Sequence, residues 1–143
     1  MKKPILASAC LALLALVIVS CKKNDVAAPK DPTPTVSNLS GSYTIAKITL
    51  KNNISGVETE QSYPDCKKDD ELHFNSDLIF NYVDAGVVCQ SPGDWSGVWS
   101  LPSSTTLDID GATSTIIKFN GTNLNLSDEY DTDNTLITYL VRK

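Results

Sequence analysis

Residues 105–127 read TTLDIDGATSTIIKFNGTNLNLS. Three short runs, 105–109, 112–119 and 122–127, alternate apolar with polar side chains, and the dipeptides Asp110-Gly111 and Asn120-Gly121 separate them. Alternation with period two puts every second side chain on one face, as in a strand with one buried side. Asp-Gly and Asn-Gly tolerate the positive φ angles of two-residue hairpin turns. The stretch therefore predicts three consecutive antiparallel strands. The two turns disagree about faces. A tight turn at Asp110-Gly111 pairs Ile109 with Ala112 and puts Ile116 with Leu107 and Ile109. A tight turn at Asn120-Gly121 pairs Ile117 with Leu124 and puts Ile117 and Phe119 with Leu124 and Leu126. A one-residue shift swaps faces, so a bulge within 113–116, or a looser turn at Asp110-Gly111, is expected.

The same period recurs outward from this stretch. Residues 42–51 alternate with Ala46, Ile48 and Leu50 on one face; 56–62 form a weaker candidate strand, and whether 52–64 is strand or loop stays open. Leu72 and Phe74, then Asn75-Ser76-Asp77, then Leu78, Phe80 and Tyr82 read as a hairpin. A three-residue loop there pairs Phe74 with Leu78 and Leu72 with Phe80. Residues 95–101 place Trp95, Gly97, Trp99 and Leu101 on one face, and 135–142 are β-branched and aromatic. The expected fold is all-β: a single small antiparallel up-and-down β-barrel of about eight strands, which removes exposed edges. Such a barrel is either filled by side chains or just able to hold one small ligand.

The N-terminus carries an address. Lys2 and Lys3 precede an apolar run, 5–19, that is too short for a membrane span of roughly 20 residues. Ile18-Val19-Ser20-Cys21 resembles the lipobox of bacterial lipoproteins. That resemblance implies a signal peptide over 1–20, lipidation at Cys21 and a membrane anchor through its acyl chains, each buried CH₂ contributing about 0.8 kcal/mol. Lys22 follows, not Asp, which by the same resemblance implies the outer membrane, facing either the periplasm or the surface. Residues 21–37 include Pro29, Pro32 and Pro34 and read as a Pro-rich tether, reaching roughly 50 Å at most in polyproline II. The domain is expected over 38–143.

Without residues 1–20 the chain has ten Lys and Arg against seventeen Asp and Glu, a net charge of −7. No basic cluster is present, which argues against nucleic acid and against charge-driven binding to anionic lipid. Cys66 and Cys89 remain once Cys10 and Cys21 are set aside, and an even pair in an exported domain reads as a disulfide. Extending the hairpin register brings Cys66 opposite Gly86, three short of Cys89, an offset that Asp84-Ala85-Gly86 can absorb.

Leu39-Ser40-Gly41-Ser42-Tyr43 resembles the L-x-G-x-W opening of lipocalin-like domains, with Tyr43 where that family has the Trp that closes the barrel base. Residues 66–74, CKKDDELHF, resemble the C-x-x-D-D-x-x-x-F stretch of the lipocalin-like domain of Gram-negative surface lipoproteins, in which a second cysteine and then a Gly-and-Trp strand follow, here Cys89 and Gly97-Val98-Trp99. The resemblance implies an anchored lipocalin-like module that binds a small apolar ligand. Phe80, Tyr82, Trp95, Trp99 and Phe119 are the candidate lining, with Trp95 the ring expected at the barrel mouth; a filled core is the other reading of the same residues. The alternative function is a filled barrel that engages an envelope protein or glycan. His73, on the face opposite Leu72 and Phe74, has no nucleophile or catalytic motif nearby, so no enzyme and no cofactor is expected. The acidic stretch 128–134 lacks the calcium-loop order and reads as a solvated hairpin loop.

Overall fold

The computed structural model describes residues 30–89 and 93–143. The expected signal peptide, the lipidated Cys21 and residues 21–29 of the tether lie outside the described residues. Among the described residues, no helix is long and apolar enough to cross a membrane.

A four-residue helix, α1 (Val36–Leu39), opens the fold. Thr35 caps it reciprocally: its hydroxyl accepts from the Asn38 amide, and Asn38 Oδ1 accepts from the Thr35 amide. Nine strands follow: β1 (Gly41–Asn52), β2 (Glu58–Glu60), β3 (Glu71–Phe74), β4 (Ile79–Val83), β5 (Trp95–Ser103), β6 (Thr106–Ile109), β7 (Ala112–Phe119), β8 (Asn123–Glu129) and β9 (Asn134–Arg142). The sheet runs β2-β1-β3-β4-β5-β6-β7-β8-β9, and β9 pairs back onto β1. The result is a closed, antiparallel, eight-stranded barrel with β2 as an extra strand outside the ring.

The register conflict at β7 resolves as a bulge, one position beyond the expected interval. Ile109 pairs with Ala112, so Asp110-Gly111 is a tight turn, with both residues at positive φ (51° and 85°). The shift falls between Ile116 and Lys118. Ile117 bulges outward and is half exposed, while Ile116 and Phe119 both face the core. The turn at Asn120-Gly121 is wider than two residues: Phe119 pairs with Leu124, and Asn120 Oδ1 accepts from the amides of Thr122 and Asn123.

Two other registers differ from expectation. Phe74 pairs with Phe80 and Leu72 with Tyr82, not with Leu78 and Phe80. Asn75 and Asp77 hold a longer turn through the Ile79 carbonyl and amide, which leaves Leu78 exposed at φ 69°. The faces survive because the slip is two residues. In β1 a bulge between Ile45 and Lys47 changes phase, so Tyr43 and Ile45 point inward, Ala46 is exposed, and Ile48 and Leu50 resume the inner face. Residues 52–64 contain only the short, exposed β2.

The core is gathered toward one end of the barrel. Tyr43 and Phe74 meet edge to face at 5.7 Å, Phe74 and Trp99 at 5.3 Å, and Phe74 lies 5.1 Å from Phe80. Leu39, Leu107, Leu124 and Leu140 complete it. Arg142 then seals that end. Its Nη2 donates to the Asn38 carbonyl (2.5 Å) and to the Tyr43 hydroxyl (2.6 Å), while the Tyr43 hydroxyl donates to the Leu39 carbonyl (2.8 Å). Gly41 lets Arg142 approach: a Cβ there would lie 3.3 Å from the guanidinium carbon.

Candidate binding site at the open end

The five candidate lining residues separate into two groups. Phe80, Trp99 and Phe119 are buried in the core, and the Trp99 indole donates to the Asn75 carbonyl at 2.9 Å. Tyr82 and Trp95 lie at the opposite end, their rings nearly parallel (17°) at 6.5 Å, and Trp95 is 44 % exposed. Trp95 also touches Phe80, with centroids 4.8 Å apart, so it sits on top of the packed core.

This end is where β1 changes neighbour. It pairs with β3 over Gly41–Thr44 and with β2 over Thr49–Lys51. Between these ladders it has no strand partner on that side, although the Gln61 amide still donates to the Ile48 carbonyl (2.9 Å) before the chain from β2 to β3 swings away. A groove of about 610 Å³ lies in the gap; most of its exposed lining is polar, from Lys47, Glu60, Gln61, Asp65 and Lys68, and Ile45, Ile48, Tyr63 and Pro64 supply the apolar part. The size falls within the range of small-molecule sites. Lys68 is tied to Asp65 at 2.5 Å, and Lys47 lies over the Tyr139 ring at 4.4 Å.

A polar relay runs beneath the groove. Tyr82 donates a short hydrogen bond to Asp70 Oδ2, and Tyr63 neighbours Tyr82. Asp70 is only 1 % exposed, and its Oδ1 has no partner. Burial first, and then the hydrogen bond to Asp70, pushes the Tyr82 phenol well above its usual range. Burial also raises Tyr63, partly offset by the neighbouring Tyr82 hydroxyl, with the charge of Asp70 adding to the rise. The Lys67 ammonium sits 5.7 Å from the Tyr82 ring centre.

The disulfide joins Cys66 to Cys89, with Cα atoms 5.4 Å apart. It ties the single 3-10 turn Asp65–Lys67, one wall of the groove, to the β4–β5 loop. With the observed register, position 66 extends to face 88, so the offset to Cys89 is one residue. Asp69 supports the same loop by accepting from the Val87 amide at 2.9 Å. Gly86 is required there, at φ 62°, because a Cβ would collide with the Asp69 carboxylate.

His73 lies on the outer wall and meets Glu71 at 2.7 Å, and Lys143 bonds the same carboxylate. In the acidic stretch 128–134, Asp131 accepts from the Asp133 amide and from Asn134, and so shapes the turn. Among the described residues, no three His, Cys, Asp or Glu side chains are grouped to hold a metal ion.

Sequence reasoning passed over Tyr63 and Ile45, and the mixed charges of 65–71, which suggest solvated surface, mislead at Asp70, which is buried. Tyr63 falls in the segment left open between strand and loop. Ile45 sits just before a bulge that alternation did not reveal. The register that places Tyr82 inside also places Asp70 beside it, and that signal was available once Leu72 was paired with Tyr82. Compared with protein-family models, with curated proteins and with solved structures, the chain finds no match.

Proposed function

We propose that this chain is an envelope lipoprotein, anchored in the outer membrane through acyl chains on Cys21, whose lipocalin-like barrel is a binding module for a small, mainly apolar ligand. The ligand sits in the lateral groove beside Tyr63, not among the core rings. One observation carries this reading: at the groove, β1 keeps β9 on one side but has no strand on the other between Thr44 and Thr49, and about 610 Å³ opens there beside Ile45, Ile48 and Tyr63. An apolar molecule there removes those side chains from water, at about 25 cal/mol per Å². The Ile18–Cys21 tetrapeptide and the prolines that follow support the anchor.

The test is native mass spectrometry of the protein purified gently from its own envelope. Retention of a few hundred daltons, lost on denaturation and reduced by Tyr63→Ala, is the expected result. A bare polypeptide mass rejects the small-ligand reading. The second reading, a filled barrel that engages an envelope protein or glycan, draws on the dense packing of Phe74, Phe80 and Trp99.

A further inference from the structure

The antiparallel order puts the β1–β2, β4–β5, β6–β7 and β8–β9 connections at one end of the barrel, opposite α1 and the chain that leads into it. Their side chains share two features. Six large apolar residues stand exposed there: Ile54, Val57, Val87, Val88, Trp95 and Tyr130, at 44–86 %. Solvent-exposed apolar side chains gathered at one end mark an interaction surface more often than scattered ones do. Among the described residues of the same connections (53–57, 84–89, 93–94, 110–111 and 130–133) the charged ones are all aspartates: Asp84, Asp94, Asp110, Asp131 and Asp133. Some of these oxygens accept backbone amides, such as Val98 N on Asp110 and Gly93 N on Asp84, but the negative charge remains. Two lysines near this end are engaged: Lys67 lies over Tyr82, and Lys68 is bonded to Asp65. Lys51 sits lower, in the β1–β2 ladder, at the register position of Glu58.

We infer that this crown is a docking surface for a basic partner protein, one that presents Arg or Lys interleaved with apolar or aromatic side chains. The argument is charge complementarity. A field of one sign around apolar tips attracts the opposite sign and repels anionic surfaces, and a bilayer rich in anionic lipid is therefore disfavoured. Position agrees, because the crown faces away from the end where residues 30–35 join the barrel. The inference does not depend on whether the groove holds a ligand.

The test uses the purified full chain and two fluorescent synthetic peptides of alternating Arg and Trp or alternating Glu and Trp, with vesicles of zwitterionic lipid and of anionic lipid alongside. Expected is binding of the Arg–Trp peptide that weakens as salt rises. The double substitution Val87→Ser with Val88→Ser should weaken it about tenfold or more, and Asp133→Asn roughly two- to threefold. Val98→Ser, an equally exposed valine on the barrel wall, should leave it unchanged. All of these side chains are exposed or half exposed, and circular dichroism checks that each variant is folded. Equal binding of both peptides, unaltered binding by the crown variants, or adsorption to anionic vesicles well above that to zwitterionic vesicles, which the acyl chains enter equally, without peptide binding overturns the proposal. Loss of the groove ligand in mass spectrometry is a separate readout, so the two readings fail independently.

Discussion

The two ends of this barrel are built on opposite principles. At the α1 end rings interlock, and Arg142, Tyr43 and the Leu39 carbonyl close a hydrogen-bonded plug over Phe74 and Trp99 that leaves Arg142 Nε as its one unpartnered buried polar atom among the described residues. At the other end, apolar side chains stand in solvent, a carboxylate oxygen of Asp70 is buried without a partner, and β1 has a strand on only one side over part of its length. The lesson is one of division: one end supplies stability, and the other holds groups that folding alone leaves unfinished.

The two tryptophans test this division most sharply. Trp99→Ala opens a cavity in a close-packed core and should cost about 3–5 kcal/mol in chemical denaturation. Trp95→Ala removes a half-exposed ring and should cost about 1 kcal/mol. Similar losses at both sites would mean that the ends are equally packed. The next effect is the clamp at the open end. Replacing Cys66 and Cys89 by serine should lower stability by about 3 kcal/mol, because the unfolded chain regains the freedom of the loop between them. A loss below about 1 kcal/mol would show that Asp69 and Gly86 hold the loop without it.

Smaller still is the plug. Tyr43→Phe keeps the ring and removes a hydroxyl that both donates and accepts, and should cost about 1–2 kcal/mol. No change would mean that water replaces the hydroxyl there.

The smallest effect is the response to alkali. Tyr43, Tyr63 and Tyr82 all have phenol pKa values above the ordinary 10.0, chiefly through burial. A phenol that holds its proton more tightly when folded contributes fully below pH 10 and loses that contribution as pH rises through its folded value. Thermal stability should therefore fall from about pH 10 upward, and Tyr82→Phe should flatten the slope. A midpoint that does not move between pH 9 and 11 contradicts the assignment.

Most of the fold was legible because the signals were local. Asp110-Gly111 fixes a turn through φ angles alone, and alternation identified the inner faces of β3 to β6 and of β8, while β7 showed two competing faces. The disulfide was legible because only two cysteines remained in the domain. What escaped was whatever depends on contacts distant in sequence. The bulge at Ala46 is set by pairing with β9 and leaves no local signal, whereas the conflict between the two turns announced a bulge in β7 and only its position, at Ile117, awaited the pairing with β8. The longer turn before Ile79 needed Asp77 to cap it, and the sequence suggested three residues. The site was half legible. Trp95 was expected at a mouth and lies at one. Phe80, Trp99 and Phe119 were grouped with it because alternation reports which face a ring takes, not how deep along the barrel it lies. The groove depends on where β1 exchanges β3 for β2, which no window of sequence contains.

The central claim is that whatever this molecule binds, it binds at the open end. Amide chemical shifts of the isotope-labelled protein, followed as an extract of its own envelope is added, test it most directly. The account predicts shifts over 45–48, 60–68 and the connecting loops of that end, with Leu107, Leu124 and Leu140 unmoved. Shifts concentrated at Phe80, Trp99 and Phe119 would contradict it and put the ligand in the core.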